Sequence, residues 1–298
     1  MNQPLRTCLI GLGEIARHHG PGLEASDRFQ LVAVCDSNPD AVSRPFFSDL
    51  HYYQDAGQML RAEKPDVAIV ASSPTSHASL VSLCASLNVF ALVEKPLTTE
   101  PKDLDLLLSL LRQKKCDVLY HWRTAPEMLW LAAHARLLEI RRIHFMVEDP
   151  YLDRQGHVFP NRLFPGGCWL DSGVNVLSIL AQWVDLSRLI PVRVDHVREE
   201  GVPVETRARF RAGDVDIQMD ISWKTGRNIK QTRITTVGEV WVLDHSAQAV
   251  IRNGETCFEA SGMERLTRHY MNVYGLYPSS LLEVGTTEQI HRILFENW

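Results

Sequence analysis

Residues 7–16, Thr-Cys-Leu-Ile-Gly-Leu-Gly-Glu-Ile-Ala, decide the fold of the first part of this chain. Four strand-forming residues lead into a Gly-x-Gly-x-x-Ala turn, and a helical pattern follows it. Glycines in such a turn let the pyrophosphate of a dinucleotide approach the backbone amides at a helix N-terminus. Asp36 stands twenty residues beyond Ala16 and ends the predicted second strand, where a carboxylate can accept hydrogen bonds from the adenosine ribose. These features predict a dinucleotide-binding Rossmann domain.

The alternative is a glycine-rich turn with an aspartate that caps a helix, but the strand, the helix and the acidic residue together favour nucleotide binding. An aspartate at position 36 repels a 2′-phosphate, which favours NAD over NADP. Ser37, Asn38 and Arg44 could still accommodate NADP, so that cofactor stays open. The cofactor contacts predicted from this region are Gly11, Gly13, Glu14, Ile15, Asp36 and Ser37.

The sequence patterns predict two domains. Up to about Trp122, short β-branched runs alternate with helical stretches near 14–25, 55–63, 77–87 and 101–114. This rhythm is typical of βαβ units with a parallel sheet buried on both faces. We therefore expect an α/β protein whose residues 1–122 form a doubly wound Rossmann domain. The predicted strands span 7–10, 31–35, 67–71, 89–93 and 117–120.

Beyond a connecting helix near 126–139, apolar residues recur with period two. They alternate with polar and charged residues over 204–211 and 215–223, and further strands are expected near 143–148, 192–198, 231–237, 240–244 and 249–259. This pattern predicts an α+β domain over 123–298, built on a mostly antiparallel open sheet with a helix at 171–184 on its apolar face. The charged face could meet water or another copy of the chain, and the alternating strands favour a homodimer or homotetramer built on this sheet. We expect the same domain to bind the substrate.

Composition argues against several classes of partner. The 298 residues carry a net charge of −5 without a run of Lys or Arg, so nucleic acid and acidic membrane surfaces are poor candidates. Six scattered cysteines without a Cys-x-x-Cys pair and twelve dispersed histidines predict reduced thiols and no metal site. The first residues lack the zones of a signal peptide, and no apolar run reaches membrane-spanning length, so a cytoplasmic protein is expected.

Two short motifs carry the residues expected to perform chemistry. Glu94-Lys95-Pro96 follows the strand predicted at 89–93, and Gly166-Gly167-Cys168-Trp169-Leu170-Asp171-Ser172-Gly173-Val174-Asn175 leads into a predicted helix. Asp171 and Asn175 are four residues apart, so they project from one face of that helix toward a single substrate molecule. The two glycines before them are expected to leave room for a ligand to approach the backbone.

The chemistry of alcohol oxidation explains this pairing. Hydride transfer requires a carbon held against a nicotinamide and a route for the departing hydroxyl proton. A lysine ammonium can hydrogen-bond the reacting oxygen while a carboxylate accepts the proton, and Lys95 with Asp171 meets both needs. Taken singly, Lys95 would be a solvated lysine and Asp171 a helix N-cap, but their joint occurrence favours catalysis.

With these motifs, the sequence resembles the Gfo/Idh/MocA family of glucose–fructose oxidoreductases and inositol dehydrogenases over essentially the whole chain. The matching stretches follow the family's order, and they are the Gly11 fingerprint, Ser73-Pro74-Thr75-Ser76-His77, Val93-Glu94-Lys95-Pro96-Leu97 and Gly166-Gly167-x-x-Leu170-Asp171-x-Gly173. The resemblance implies that Lys95 lies near the nicotinamide and the reacting oxygen, that Asp171 shares this site, and that the peptide before Pro96 is cis. It also implies further cofactor contacts, which are Ser73, Pro74, His77, Glu94 and Lys95, with His77 supporting the loop.

Many members of this family have His four residues after the aspartate, where this chain has Asn175. Asn175 cannot titrate, so it indicates either lost catalysis or a subgroup similar to the L-arabinose and D-galactose 1-dehydrogenases, in which Asp-x-Gly-x-Asn is usual. The stretches His121-Trp122-Arg123-Thr124-Ala125-Pro126 and Glu148-Asp149 are similar to that subgroup as well. The resemblance therefore implies oxidation of an aldopyranose at C1 to the lactone, with Asp171 as general base, Lys95 as polarising group or proton relay, and Asn175 as an orienting partner.

Three further residues are expected to bind the substrate. Glu148 and His121 would hold its other hydroxyls, although Glu148 could simply end a strand and His121 could be a hydrogen-bonded histidine inside the protein. Arg154 stands where the subgroup has a substrate-contacting His, so a sugar acid is also compatible with the sequence. The same residues are compatible with oxidation at another sugar carbon, with an inositol, keto or imine substrate, and with a nucleotide-responsive regulator that lacks catalysis.

Overall fold

The computed structural model describes residues 3–43, 46–158 and 166–298, and the chain divides into two compact units. The first unit comprises Met1–Thr124 and Leu266–Glu288, and the second comprises Ala125–Arg265 and Gln289–Trp298. Sequence analysis assigns residues 266–288 to the second domain, whereas in the structure they belong to the first unit. Arg44, a candidate NADP contact, lies outside the described residues.

The first unit contains a six-stranded sheet, with β1 Leu5–Ile10, β2 Phe29–Cys35, β3 His51–Tyr53, β4 Val67–Val70, β5 Phe90–Glu94 and β6 Cys116–Leu119. Every pairing is parallel, and the strand order is β3-β2-β1-β4-β5-β6. This is the order of a dinucleotide-binding fold, so the predicted doubly wound parallel sheet is confirmed. The sequence prediction omits β3, because three residues are too few for a strand pattern to show.

Helices cover this sheet and connect its strands: α1 Ala16–Glu24, α2 Ala56–Glu63, α3 His77–Ser86 and α4 Pro101–Arg112. Helix α2 begins where the Asp55 side chain accepts a hydrogen bond from the Gln58 amide over 2.6 Å. All four residues of β4 are buried, since a central parallel strand is covered on both faces. The continuous apolar runs of the sequence are therefore explained by burial on two sides.

The returning segment enters the core of the first unit through helix α7, Arg265–Gly275. Tyr270 and Tyr274 are fully buried and pack in one hydrophobic cluster with Leu9, Leu23 and Phe29. A Cβ added at Gly22 of α1 would lie 3.0 Å from the Tyr270 backbone, so α1 and α7 approach closely. This shared core is the physical reason that residues 266–288 belong to the first unit.

The second unit is built on an eight-stranded sheet, with β7 Ile140–Glu148, β8 Ile190–Glu199, β9 Val202–Ala212, β10 Val215–Ser222, β11 Ile229–Thr236, β12 Val240–Asp244, β13 Ala249–Arg252 and β14 Glu255–Glu259. The order is β14-β13-β12-β11-β7-β10-β9-β8. Only the β7–β10 pairing is parallel, so the predicted mostly antiparallel sheet is confirmed. Along β9, buried Ala208 and Phe210 alternate with exposed Arg207, Arg209 and Arg211, as the period of two predicts.

Helices α5 Pro126–His134, α6 Gly167–Leu180 and α8 Val284–Glu296 complete the chain. Helix α6 packs on β9 and β10 and is almost entirely buried. The Trp169 indole donates to the Leu294 carbonyl over 2.9 Å, which joins α6 to the last turns of α8 within the second unit. Among the helices of the described ranges, none combines the length and the apolar character that crossing a membrane requires.

Two expectations about α6 are wrong. The helix begins at Gly167 rather than at position 171, so Asp171 lies inside it and is not its N-cap. The glycines do not leave room for a ligand in this unit, because a Cβ at Gly167 would lie 2.1 Å from the Pro203 carbonyl oxygen of β9. Gly166 and Gly167 have φ of 89° and 48°, so their role is a left-handed entry into a helix packed tightly on the sheet.

Candidate active site

The carboxyl ends of four parallel strands bring the fingerprint residues of the first unit to one edge of its sheet. β1 is followed by Gly11, β2 by Asp36, β4 by the loop that contains Ser73, and β5 by Lys95. In open α/β sheets, ligands bind at this edge, where the strand order reverses. The edge between β1 and β4 is that reversal point here.

The fingerprint glycines meet the steric requirements of a dinucleotide turn. Gly11 has φ of 95°, and an added Cβ would lie 2.6 Å from the Ser72 amide nitrogen, so no larger residue fits. Gly13 is exposed, and an added Cβ would meet no atom of the described residues within 4 Å. The turn therefore leaves open space at the residue where a pyrophosphate approaches the backbone. Glu14 and Ile15 continue this turn into α1, with Glu14 exposed and Ile15 half-buried.

Asp36 is held by the backbone of two neighbouring turns. Its Oδ2 accepts from the Leu12 amide over 2.7 Å, and its Oδ1 accepts from the Asn38 amide over 2.8 Å. The Tyr52 hydroxyl donates to the Asp36 carbonyl over 2.7 Å. The carboxylate is half-buried and Ser37 beside it is exposed. A rigid acidic group thus stands next to the glycine turn, as ribose recognition requires.

His77 joins the loops that follow β4 and β5. It is fully buried, with Nδ1 2.9 Å from the Pro96 carbonyl oxygen and Nε2 3.2 Å from the Ser72 carbonyl oxygen. Burial lowers the pKa of this imidazole, because a charged ring is poorly solvated there. The loop itself carries exposed Ser73 and half-buried Pro74. These contacts agree with the expectation that His77 supports this loop.

The Glu94-Lys95-Pro96 motif directs its two charged side chains into different surroundings. The Lys95–Pro96 peptide is cis, as expected, and Lys95 is half-buried. Glu94 is only 5% exposed; its Oε1 accepts from the Tyr270 hydroxyl over 2.5 Å and lies 3.1 Å from His19 Nε2. Burial alone would raise the pKa of the Glu94 carboxyl, but His19 and Tyr270 hold it below its ordinary value.

Sequence reasoning missed His19 and Tyr270, because no local pattern marks a contact between distant residues, and Tyr270 is 176 positions from Glu94. The same network reaches His121, which lies in the first unit and is buried. Its Nδ1 is 3.2 Å from the Nδ1 of His269, and its ring stacks on Tyr270 with centroids 5.5 Å apart. The interpretation of His121 as a hydrogen-bonded interior histidine therefore has direct support.

In the second unit, Asp171 and Asn175 lie on successive turns of α6, which places both side chains on one face of the helix. Asp171 is half-buried, and Asn175 is 4% exposed. Within the part of the chain that the structure describes, the buried Oδ1 of Asn175 has no hydrogen-bond partner. Such an acceptor is costly unless something donates to it.

Glu148 and the adjacent Asp149 lie at the end of β7, and both are buried. Glu148 Oε1 accepts from Arg227 over 2.7 Å, whereas its buried Oε2 has no partner among residues 3–43, 46–158 and 166–298. Asp149 Oδ1 lies 2.7 Å from Lys230 Nζ. Asp149, Arg227 and Lys230 were not among the predicted site residues, since their pairing depends on how β7 and β11 align.

The remaining predicted residue, Arg154, lies on an exposed turn in which the Gly156 amide donates to the Asp153 carbonyl over 3.2 Å. The structure thus places Lys95 and His121 in the first unit, and Glu148, Arg154, Asp171 and Asn175 in the second. No group of three or more His, Cys, Asp or Glu side chains in the described ranges could hold a metal ion.

Comparison with known proteins identifies the first part of the chain. Residues 5–121 match the family model GFO_IDH_MocA, described as an oxidoreductase family with an NAD-binding Rossmann fold. The D-apiose dehydrogenase of Paraburkholderia graminis is 30% identical over 115 residues, which are 38% of this chain and 31% of that protein. The match thus spans about a third of the relative's length.

Two solved structures share the fold over nearly the whole chain. Levoglucosan dehydrogenase in complex with NADH superposes with a TM-score of 0.81 at 13% identity, covering 99% of this chain and 96% of the other. The D-galactose-1-dehydrogenase of Rhizobium etli superposes with a TM-score of 0.77 at 19% identity, covering 100% and 96%. The chain thus shares its fold with these two structures, and its residues 5–121 match the model of the Gfo/Idh/MocA oxidoreductase family, which is described by its NAD-binding Rossmann fold.

Proposed function

We propose that this chain is an NAD-dependent dehydrogenase that oxidises a neutral aldopyranose at C1 to the lactone. The observation that carries the proposal is a pair of buried acceptor atoms in the second unit, Glu148 Oε2 and Asn175 Oδ1, for which the described residues offer no donor. Atoms that only accept are complementary to hydroxyl groups, which donate. A substrate rich in hydroxyls satisfies both, whereas a carboxylate placed there has no hydrogen to donate to either atom.

Helix α6 connects this pair to a base. Asn175 follows Asp171 by one helical turn, and the Ser172 hydroxyl next to Asp171 donates to Asp149, the neighbour of Glu148, over 3.3 Å. Hydroxyl-binding acceptors and a half-buried carboxylate therefore belong to one end of the second unit's sheet. This is the arrangement that a polyol and its departing proton require.

Each group has a distinct task in this reaction. Asp171 accepts the proton of the reacting hydroxyl, and the Lys95 ammonium stabilises the negative charge that develops on that oxygen or relays the proton. Asn175 does not titrate and orients the hydroxyl by hydrogen bonding. When bound, NAD would supply the nicotinamide ring that accepts the hydride from C1 of the sugar. Oxidation at C1 suits this set because the anomeric hydroxyl is more acidic than an ordinary secondary alcohol, so the reaction proceeds without a histidine base.

NAD is favoured over NADP by the surroundings of Asp36. Both carboxylate oxygens are already fixed by backbone amides, so the group cannot rotate away from a 2′-phosphate without losing those hydrogen bonds. The predicted contacts of Gly11, Gly13, Glu14 and Ile15 with the pyrophosphate, and of Ser73, Pro74 and Lys95 with the nicotinamide half, complete the proposed cofactor site. Exposed Arg154 is assigned to the rim of the sugar site, whereas His121 keeps the interior role that its contact with His269 supports.

A panel of aldoses, uronic acids and inositols with NAD and NADP tests the proposal through absorbance of the reduced nicotinamide. We expect the highest kcat/KM with a neutral aldose and NAD, and a lactone as product. Lys95→Met and Asp171→Asn should each lower kcat by about 100-fold or more. Exposed Lys102 and Asp214 provide matched controls, Lys102→Met and Asp214→Asn, that should leave kcat unchanged. Turnover restricted to an inositol, a keto-sugar or a uronic acid would reject C1 oxidation of a neutral sugar.

We further infer a homodimer or homotetramer formed through the open face of the eight-stranded sheet. That face carries the exposed arginines of β9, and the half-buried Asp216 and Asp220 of β10 lie beside them on the same face. Both signs of charge on one flat surface allow two copies to pair with each other. Light scattering should find a multiple of 33.8 kDa, and a species of 33.8 kDa alone would contradict the inference.

A further inference from the structure

Two consecutive acidic residues at the end of β7 each form an ion pair. The partner of the first lies in the segment that joins β10 to β11, and the partner of the second lies at the start of β11. Glu148 contacts Arg227, whose side chain is 61% exposed, over 2.7 Å. Asp149 contacts Lys230 over 2.7 Å, and there both side chains are less than a tenth exposed. The two ion pairs are therefore physically different, because only the second is removed from water.

A buried lysine is uncommon, and this one has the partners it needs. Besides Asp149, its ammonium donates to the Asn228 side-chain oxygen over 2.5 Å. A buried ion pair recovers its desolvation cost only with such satisfied geometry, and an apolar pair of similar size is often at least as stable. Stability alone is thus a weak reason for this buried pair, whereas the contacts that Asp149 makes with other elements give it a role in positioning.

Asp149 joins three elements of the second unit. Its amide donates to the Ser222 carbonyl at the end of β10 over 3.0 Å, and its Oδ1 meets Lys230 on β11. Its Oδ2 accepts from the Ser172 hydroxyl of α6 over 3.3 Å. Lys230 holds the carboxylate in the orientation that receives Ser172, and Ser172 is the residue after Asp171. A chain of contacts therefore runs from the sheet to the helical turn that carries the proposed base.

We propose that Lys230, Asp149 and Ser172 form a positioning network that sets the orientation of Asp171 toward the substrate. This inference rests on the proposed function, since it concerns the base of the same reaction. None of the three touches the reacting atoms in this assignment, and each acts through the turn of α6 that precedes Asn175. Small displacements of a catalytic group cost much activity, because proton transfer depends steeply on distance and angle.

Ser172→Ala is the mildest test, since it removes one hydroxyl and leaves the buried ion pair intact. We expect kcat to fall by about tenfold, with the KM for NAD and the affinity for NADH in fluorescence titrations unchanged. Ser172→Thr restores the hydroxyl and should recover most of kcat. The matched control is Ser178→Ala on the same helix, where the buried hydroxyl donates to the Asn175 backbone carbonyl over 2.7 Å. It should lower the melting temperature about as much as Ser172→Ala does, without the loss of kcat.

Lys230→Met supplies a second readout that needs no substrate. Freed from its cation, Asp149 should release Ser172, so amide hydrogen exchange in residues 167–175 should accelerate while exchange in the β8–β9 hairpin stays as in the parent. Unchanged kcat in Ser172→Ala, equal losses in Ser172→Ala and Ser178→Ala, or unaltered exchange in Lys230→Met would each overturn the network. If the parent oxidises none of the sugars, the proposed function fails, and the exchange measurement still decides whether the network orders α6.

Discussion

Replacing Tyr270 by Phe tests how the buried Glu94 carboxylate is stabilised beside Lys95. The hydroxyl donates to Glu94 Oε1 over 2.5 Å, with the tyrosine fully buried and the glutamate 5% exposed. A hydrogen bond to a charged group contributes about 1.5–3 kcal/mol, and Phe fills the same ring volume, so the cavity contribution is small. We expect the free energy of unfolding to fall by about 2 kcal/mol at neutral pH, which lowers the melting temperature by roughly 4–8 °C.

The size of this loss depends on pH in a defined direction. Burial raises the pKa of the Glu94 carboxyl, but His19 and Tyr270 hold it below its ordinary value of 4.5. A group whose folded pKa is depressed contributes stability above its unfolded pKa, and that contribution is lost as the pH falls through the folded value. Tyr270→Phe removes one of the lowering contacts, so the parent and variant differ fully at neutral pH and converge below about pH 4.5.

Urea unfolding followed by tryptophan fluorescence, at neutral pH and at several acidic values, measures both effects. Tyr53→Phe is the matched control, because its hydroxyl donates to Glu63 Oε1 over 2.8 Å at a half-buried position of the same unit. Tyr53→Phe should lower the free energy of unfolding less than Tyr270→Phe does, since water can replace the lost donor. The reasoning is refuted if the two variants lose equal stability at neutral pH, or if the loss in Tyr270→Phe is the same at acidic pH.

Three further predictions follow from single features. Gly167→Ala should lower the free energy of unfolding by about 3 kcal/mol in a urea titration, because its φ is 48° and the new Cβ would lie 2.1 Å from the Pro203 carbonyl oxygen. Gly213→Ala is the control and should lower it clearly less, because its φ is also positive, at 60°, but no described atom lies within 4 Å of the new Cβ. Asp36→Ala should weaken NAD binding by about tenfold in fluorescence titrations and reduce discrimination against NADP, since the ribose loses a charged acceptor; an unchanged NAD affinity would contradict the assigned site. Titration with a thiol reagent at mildly alkaline pH should modify one thiol in the native protein, the exposed Cys257, and all six after unfolding. The reason is that burial raises the pKa of the other five thiols to about 12, namely those of Cys8, Cys35, Cys84, Cys116 and Cys168. Rapid modification of more than one thiol in the native protein would show that these cysteines are accessible.

The fold could be predicted from the sequence where a single local period describes an element. Apolar runs such as Val67–Val70 predicted buried parallel strands, and alternation along β9 and β10 predicted a sheet with one apolar and one charged face. The start of α6 was misplaced because Gly166 and Gly167 are conventional helix breakers. Their left-handed entry and their packing on Pro203 become evident only once β9 lies beside them.

The same distinction between local pattern and tertiary contact applies to the candidate site. The sequence by itself determined the glycine turn and Asp36, because they lie in one βαβ unit whose backbone geometry follows from local residue order. Tertiary structure alone decided that Tyr270 returns to Glu94 from 176 residues away, and that Lys230 on β11 pairs with Asp149 at the end of β7. Contacts between distant segments depend on which faces pack together and in which register, and that choice is made by the free energy of the whole core rather than by any local pattern.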